Sequence, residues 1–558
     1  MNYTKLPRGF APALSGAAAI LLLSVFGVLW ASPASAQETD GDDFVNGEIV
    51  VKLDPASIAT VDDINREYGT ATKETLLSNV ARIYLLRVTD GEDTQAKIER
   101  MRGDARLAYA EPNYTTDAPE DSRHMRSRAD SNPEPSSDEA LYHDQYAVEA
   151  LNLPEAHGVN KGAGSTVAIL DTGVQLDHPE LAGSLVEGYD FIGDDPDPSD
   201  ESNGVDGDGD GSTDEAKGHG THVAGIAHLT APEAKIMPLR VLDSDGSGNI
   251  FVIAEAIQRA VDPDNNPGTN DGADVINMSL STSRESNLIR DIADDLDTED
   301  DDDDDDDGTG QALQGVPTNG VTVVGSAGND ALEQPAYPAA ETGVIGVAAV
   351  DREEKKTDFS NYFGQPEVDI SAPGDDVYST FTEGRYAEWD GTSMAAPFVA
   401  GQAALIRSMR PGLPSTAPQG QPSVSEFITT TARSIDAAND NTAWKGKLGA
   451  GHADVYAGLM KANTAPTISS MRPIPGSRTR DRTPLISAIV RDAQTNLTRS
   501  NVQLYVDGRR VGVFSYDTST DRLTRAMGRL SYGPHRVRIT AADPLGSVTR
   551  TWGFRVVR

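Results

Sequence analysis

Four short motifs hold residue types that could act together on an acyl group. Asp171-Thr172-Gly173 directly follows the apolar run 165–170. Gly218-His219-Gly220-Thr221-His222-Val223-Ala224-Gly225 opens a stretch with helical apolar spacing, and Gly391-Thr392-Ser393-Met394-Ala395-Ala396-Pro397 opens another. Ser326-Ala327-Gly328-Asn329 closes the apolar run 320–325. A serine hydroxyl is a poor nucleophile at neutral pH and needs an imidazole to take its proton. The imidazole in turn needs a carboxylate to fix its tautomer and stabilise the imidazolium. Ser393, His219 and Asp171 supply those three types. The Asn329 amide could donate to a developing oxyanion, and Ser393 at a helix start would add backbone N–H groups. Each motif alone has a plainer meaning: a turn, an N-cap, a packed histidine, a left-handed Asn. Their joint occurrence is what points to nucleophilic catalysis.

Such residues must be delivered to one place by the fold. Runs 165–171, 234–242, 273–280 and 320–328 suit buried parallel strands, and 251–261 and 393–409 are helical. Alternation of this kind over 141–462 predicts an α/β fold with a doubly wound, mostly parallel sheet. The carboxyl ends of its strands converge on one crevice.

The motifs, in the order Asp…His…Asn…Ser, resemble the subtilisin-like serine proteases (subtilases) in secreted precursor form. The resemblance covers about Leu141 to Ala462. It implies that Asp171 orients, His219 is the general base, Ser393 the nucleophile and Asn329 the oxyanion donor, while His222 is not catalytic. It also implies a secreted serine endopeptidase that hydrolyses protein or peptide substrates through an acyl-enzyme and processes its own precursor. In this family two strand edges receive the substrate. They match Ser247 and Gly248 on one side and Ser279, Leu280 and Ser281 on the other. Where the family usually reads Ser-Leu-Gly-Gly, this chain has Ser279-Leu280-Ser281-Thr282, which alters the pocket wall.

Asp206, Asp208 and Asp210, with Ser212 and Asp214, begin like an EF-hand loop, although the twelfth position is Lys217 rather than Glu. The spacing predicts a structural Ca²⁺ site. Glu180 falls where the family often has a calcium-binding Asp, so a second site is a further expectation. Residues 294–307 contain 12 acids and read as an exposed insertion.

The 558 residues suggest three or four domains. Lys5 and Arg8, an apolar run over 11–30 and Ala34-Ser35-Ala36 predict a signal peptide over 1–36, hence secretion, with cell-surface association as an option. No other stretch has spanning length, so no stable membrane span is expected after its removal. Residues 37–118 read as a ferredoxin-like βαββαβ unit, which the resemblance makes an inhibitory propeptide, the chain's own intramolecular inhibitor. Residues 119–140 read as an exposed, cleavable linker. Residues 466–558 carry short alternating strands, with an Asp507-Gly508 hairpin, and predict a β-sandwich. This last segment has 16 Arg, no Lys and 6 Asp, about +10, within a chain of net charge −40. That overall charge argues against nucleic acid as a partner, and a monomer is expected. With no cysteine, disulfides and thiol chemistry are excluded.

Overall fold

The computed structural model describes residues 43–558, apart from 77–80, 122–134, 207–210, 265, 267–268, 270, 298–319, 365–367, 418–420, 437–440, 493–496 and 544–545. The expected signal peptide and most of the acidic run 294–307 therefore lie outside the described residues. No helix among the described residues is long and apolar enough to cross a membrane.

The N-terminal unit runs β1 (Phe44–Leu53), α1 (Val61–Tyr68), β2 (Thr70–Thr75), β3 (Ile83–Val88), α2 (Thr94–Met101) and β4 (Leu107–Asp117). Its sheet has the order β2-β3-β1-β4. The sequence predicts helix from residue 56, but α1 starts at Val61. Thr60 caps it, accepting from Asp63 N while the Asp63 carboxylate accepts from Thr60 N. Ahead of the cap, the Arg82 guanidinium donates to the carbonyls of Asp54 at 2.9 Å and Ser57 at 2.8 Å, holding that segment out of the helix. Ile49, Val51 and Leu53 pack on the unit's own helices, whereas Val50 faces the body that follows it. The sheet is thus buried on both faces.

The body that follows is a seven-stranded parallel sheet. Its central strands are β5 (Thr166–Asp171), β7 (Lys235–Arg240), β9 (Val275–Met278), β10 (Thr322–Ser326) and β11 (Val344–Val350). Short β6 (Tyr189–Asp190) and β12 (Ile370–Pro373) form the edges. The period-2 geometry of a strand sends neighbours to opposite faces. Val167 and Ile169 join the core around α4 (His219–Thr230) and α7 (Thr392–Met409). Ala168 and Leu170 join the core around α5 (Ile250–Val261) and α6 (Asn287–Asp297). Helices therefore cover both faces, as the continuous apolar strands require. Strand β8 (Ser247–Asn249) leaves this body and pairs with β4, joining the two units edge to edge.

Beyond residue 466 a four-stranded and a five-stranded sheet share one apolar core, including Ile486, Leu504, Val537 and Trp552. The Asp507-Gly508 hairpin forms as its sequence predicts. Val506 pairs with Arg509, and both loop residues have positive φ, 47° and 79°.

Candidate active site

Asp171 is the last residue of β5, His219 the first of α4, and Ser393 the second of α7. Asn329 lies three residues past β10. All four side chains are buried. His219 Nδ1 lies 2.7 Å from Asp171 Oδ1, which also accepts from Thr172 N at 2.8 Å. Helix α4 can approach this closely because residue 220 is glycine: a Cβ there would stand 2.2 Å from the Gly173 carbonyl oxygen. Buried Asp200 satisfies the open N–H groups at the start of α4. It accepts from Gly218 N at 3.0 Å, Thr221 N at 3.2 Å and Thr221 Oγ1 at 2.7 Å. Burial pushes the Asp200 carboxyl up to about 6.

The opposite side of His219 meets a residue that the sequence does not single out. Glu120, on a short helical turn just past β4, places its carboxylate at the centre of the cluster. Oε2 accepts from Ser393 Oγ at 2.8 Å and lies 2.9 Å from His219 Nε2. Oε1 accepts from Asn329 Nδ2 at 2.9 Å. A Cβ on residue 391 would fall 1.8 Å from Oε1, so Gly391 makes room for this oxygen. Burial alone would lower the His219 imidazole, but the Asp171 and Glu120 carboxylates on its two nitrogens hold it well above the ordinary value. His222, by contrast, donates from Nε2 to the Ala387 carbonyl, 3.1 Å away, and burial lowers it to about 3. It is a packing residue against Trp389.

Two further contacts fix the machinery. Thr392 donates to Asn329 Oδ1 from both its backbone N, at 2.9 Å, and its hydroxyl, at 2.8 Å. That leaves the Asn329 amide N–H groups turned toward Glu120. Pro397 has no N–H to close the helical bond to the Ser393 carbonyl. The Ser279 hydroxyl donates to that carbonyl instead, at 2.9 Å. Ser279 thus ties the end of the β9 segment to the backbone of Ser393.

The chain leading to Glu120 lies between the two edges named from the sequence. Thr115, Thr116 and Asp117 pair antiparallel with Asn249, Gly248 and Ser247. On the other side Asp117 and Ser281 exchange backbone bonds of 3.0 and 2.9 Å. Leu280 is buried behind this edge. Two buried polar contacts dock the N-terminal unit itself. The Glu111 carboxylate accepts from Ser286 Oγ, Asn287 N and Leu288 N at 2.9–3.0 Å, capping α6, and Lys52 pairs with Asp291 at 2.8 Å. Burial raises the Glu111 carboxyl.

Acidic groups able to hold a cation occur in two places among the described residues. Asp262, Asp264 and Asp271 form one cluster, and Glu139, His143 and Glu180 the other. In the loop expected to hold calcium, Asp208 and Asp210 lie outside the described residues. Asp206 accepts from Gly211 N at 3.1 Å. Asp214 Oδ1 accepts from Asn203 N, Gly204 N and Ser244 Oγ at 2.6–3.0 Å. Ser212 is exposed. These oxygen-only donors fit a hard cation such as Ca²⁺.

Known proteins share these features. The profile of the Subtilase family matches residues 162–451, and that of the Fervidolysin N-terminal prodomain matches residues 31–113. Thermitase of Thermoactinomyces vulgaris is 36% identical over 274 residues, 47% of this chain and 82% of its own length. The thermophilic serine proteinase of Bacillus sp. (strain AK1) is 33% identical over 330 residues, 57% of this chain and 67% of its own. Subtilisin BL of Lederbergia lenta is 31% identical over 304 residues, 53% of this chain and 93% of its own.

Proposed function

The chain belongs to the subtilase family, and we propose from this that it is a secreted serine endopeptidase whose own N-terminal segment plugs its active site until cleavage. Ser393 Oγ attacks the scissile carbonyl as His219 takes its proton, and Asp171 holds the imidazole and the charge it gains. Asn329 donates to the oxyanion. Collapse of the tetrahedral species expels the amine with a proton from His219 and leaves an acyl-enzyme, which water hydrolyses by the same steps. Substrate adds as an extended strand between Ser247-Gly248 and Ser279-Leu280-Ser281.

The observation that carries this reading is the convergence of Ser393, His219 and Asn329 on one carboxylate. Glu120 Oε1 stands where an oxyanion would be received, and Oε2 separates the nucleophile from its base. A side-chain carboxylate offers no peptide carbonyl for Ser393 to attack. The tail therefore occupies the cleft as an inhibitor, which supports a precursor that is silent until the segment leaves.

The proposed organisation is a signal peptide over 1–36, the inhibitory unit over 37–118, a linker over 119–140, the catalytic domain over 141–462 and a β-sandwich over 466–558; the linker is not exposed at its start, where Glu120 is buried in the cleft and belongs with the inhibitory segment. The βαββαβ order and sheet order β2-β3-β1-β4 support a ferredoxin-like N-terminal unit. Two sheets about one core support the sandwich. The loop Asp206–Asp214 is proposed to bind structural Ca²⁺.

A fluorophosphonate probe tests the assignment. Processed enzyme should label and Ser393→Ala should not. The Ser393→Ala chain should also accumulate as full-length precursor. Normal maturation of that variant, without added protease, would sink self-processing.

A further inference from the structure

The outward face of the five-stranded sheet beyond residue 466 carries charge of one sign. Its strands lie in the order Arg478–Thr479, Ser547–Val556, Gly533–Ala542, Val502–Val506 and Arg509–Val511. Leu504, Val537, Ile539 and Trp552 turn into the core, so their neighbours along each strand point out. The register fixes which outward residues stand side by side. Thr551, Arg538, Tyr505 and Arg510 form one row, and Pro534, Arg555 and Arg478 another, with Arg536 between the rows. Arg478, Arg510, Arg536, Arg538 and Arg555 are all exposed.

No strand residue pointing out from this face is acidic. Asp507, at the turn beside it, is committed elsewhere: its carboxylate accepts from Arg536 N at 2.8 Å and lies 2.7 Å from His535 Nδ1. The chain has 87 Asp and Glu side chains. Among the described residues none of them pairs with these five arginines, and the ion pairs of this domain are Arg491–Asp521 and His535–Asp507. The Arg538 guanidinium lies instead over the Tyr505 ring, 4.0 Å from its centroid, which braces it against the sheet.

We propose that this face docks the protein on an anionic phospholipid surface, whose phosphate headgroups take the five arginines. A guanidinium fork matches phosphate oxygens two at a time. A protein partner, a second copy of this chain included, would need an apolar centre to its interface, and the strands here offer only Tyr505. A single-stranded nucleic acid would need open rings on which to stack its bases, and Arg538 covers that ring. A lipid surface asks only for opposite charge spread over an area, and each arginine beside it is worth about fivefold in binding. The rest of the chain, at about −50, is repelled by the same surface. Docking would therefore turn the C-terminal domain toward the lipid and hold the catalytic body off it.

The test uses the secreted Ser393→Ala chain and sedimented vesicles, so its outcome does not depend on catalysis. Vesicles of equal parts phosphatidylglycerol and phosphatidylcholine should bind the chain at low salt, and vesicles of phosphatidylcholine alone should not. At 1 M salt, where screening acts within about 3 Å, the chain should be released. Arg510→Gln with Arg536→Gln and Arg555→Gln should weaken binding about 100-fold. Arg510→Lys with Arg536→Lys and Arg555→Lys should keep most of it, which separates lost charge from a damaged fold. No binding to the mixed vesicles, equal binding to phosphatidylcholine alone, or unchanged binding by the Gln variant would each overturn the proposal. So would tighter binding to single-stranded DNA at equal phosphate concentration, or a dimer that the Gln variant abolishes, which would give the face to a nucleic acid or to a second copy.

Discussion

Glu120 and Ser393 are joined by a 2.8 Å hydrogen bond across 273 residues of sequence. The acceptor oxygen is the same one that faces His219 Nε2, at 2.9 Å. On the proposed reading the inhibiting group is a side chain within the cleft, not the end of a cleaved strand. Removing it should loosen inhibition without harming the enzyme. Hydrogen bonds to charged groups are worth about 1.5–3 kcal/mol each. Glu120→Ala should therefore weaken the plug by about 10–100-fold, after competition from water. Active-site titration of freshly secreted precursor would reveal this, and an unchanged titre would refute it.

Plug release should be favoured by alkali. Asp171 acts on His219 whether or not the plug is present, whereas Glu120 raises it only in the plugged state. The plugged form therefore keeps a proton that the open form gives up first. Its added stability is complete below the value of the open form, where Asp171 alone acts, and is lost as pH rises through the higher value of the plugged form. The dissociation constant of the plug should climb by up to about tenfold per pH unit between those two values and level off above the higher one. Glu120→Gln should flatten the slope. A plug that tightens between pH 7 and 9 would contradict this sign.

Glu111 anchors the same unit at a distance from the chemistry. Its carboxylate collects the N–H groups that open α6, and losing a buried acceptor costs about 1–3 kcal/mol. Glu111→Gln should speed dissociation of the N-terminal unit by about tenfold, while kcat of the processed enzyme stays within error.

Ser279 should matter for rate more than for binding. Its hydroxyl replaces the missing N–H of Pro397 at the Ser393 carbonyl. The net worth of one such bond is about 0.5–1.5 kcal/mol. Ser279→Ala should lower kcat by about two- to tenfold with KM little changed. An effect confined to KM would place Ser279 in substrate binding alone.

The calcium loop is tested by stability. At free Ca²⁺ 100-fold above Kd, one site adds about 2.7 kcal/mol to folding. Chelation should lower Tm and hasten autolysis, and Asp208→Ala with Asp210→Ala should mimic it. An unchanged Ca²⁺-dependent shift in the double variant would move the site elsewhere, with Asp262, Asp264 and Asp271 the next oxygen cluster to test.

Asp171, His219, Asn329 and Ser393 are readable in sequence because each sits in a motif at a strand or helix end, where side-chain direction is set locally. The strand alternation that sends Val167 and Ala168 to opposite cores is readable for the same reason. Glu120 is not, because Ala-Pro-Glu-Asp is an ordinary polar turn. Its role comes from pairing of β4 with residues more than a hundred positions away. Helical apolar spacing extends back to residue 56, but the Thr60–Asp63 cap fixes the start of α1 at Val61.

The plug is bound at Glu120, and beyond residues 122–134, which lie outside the described residues, Ser136 pairs with Tyr386. While the intervening segment is intact, the inhibitor cannot be diluted; a short tether sets a local concentration on the order of millimolar. One cut converts that fixed value into the bulk concentration of a second molecule. The same contacts that silence the enzyme in a concentrated secretion would then release it on spreading, so activation would follow volume as well as cleavage.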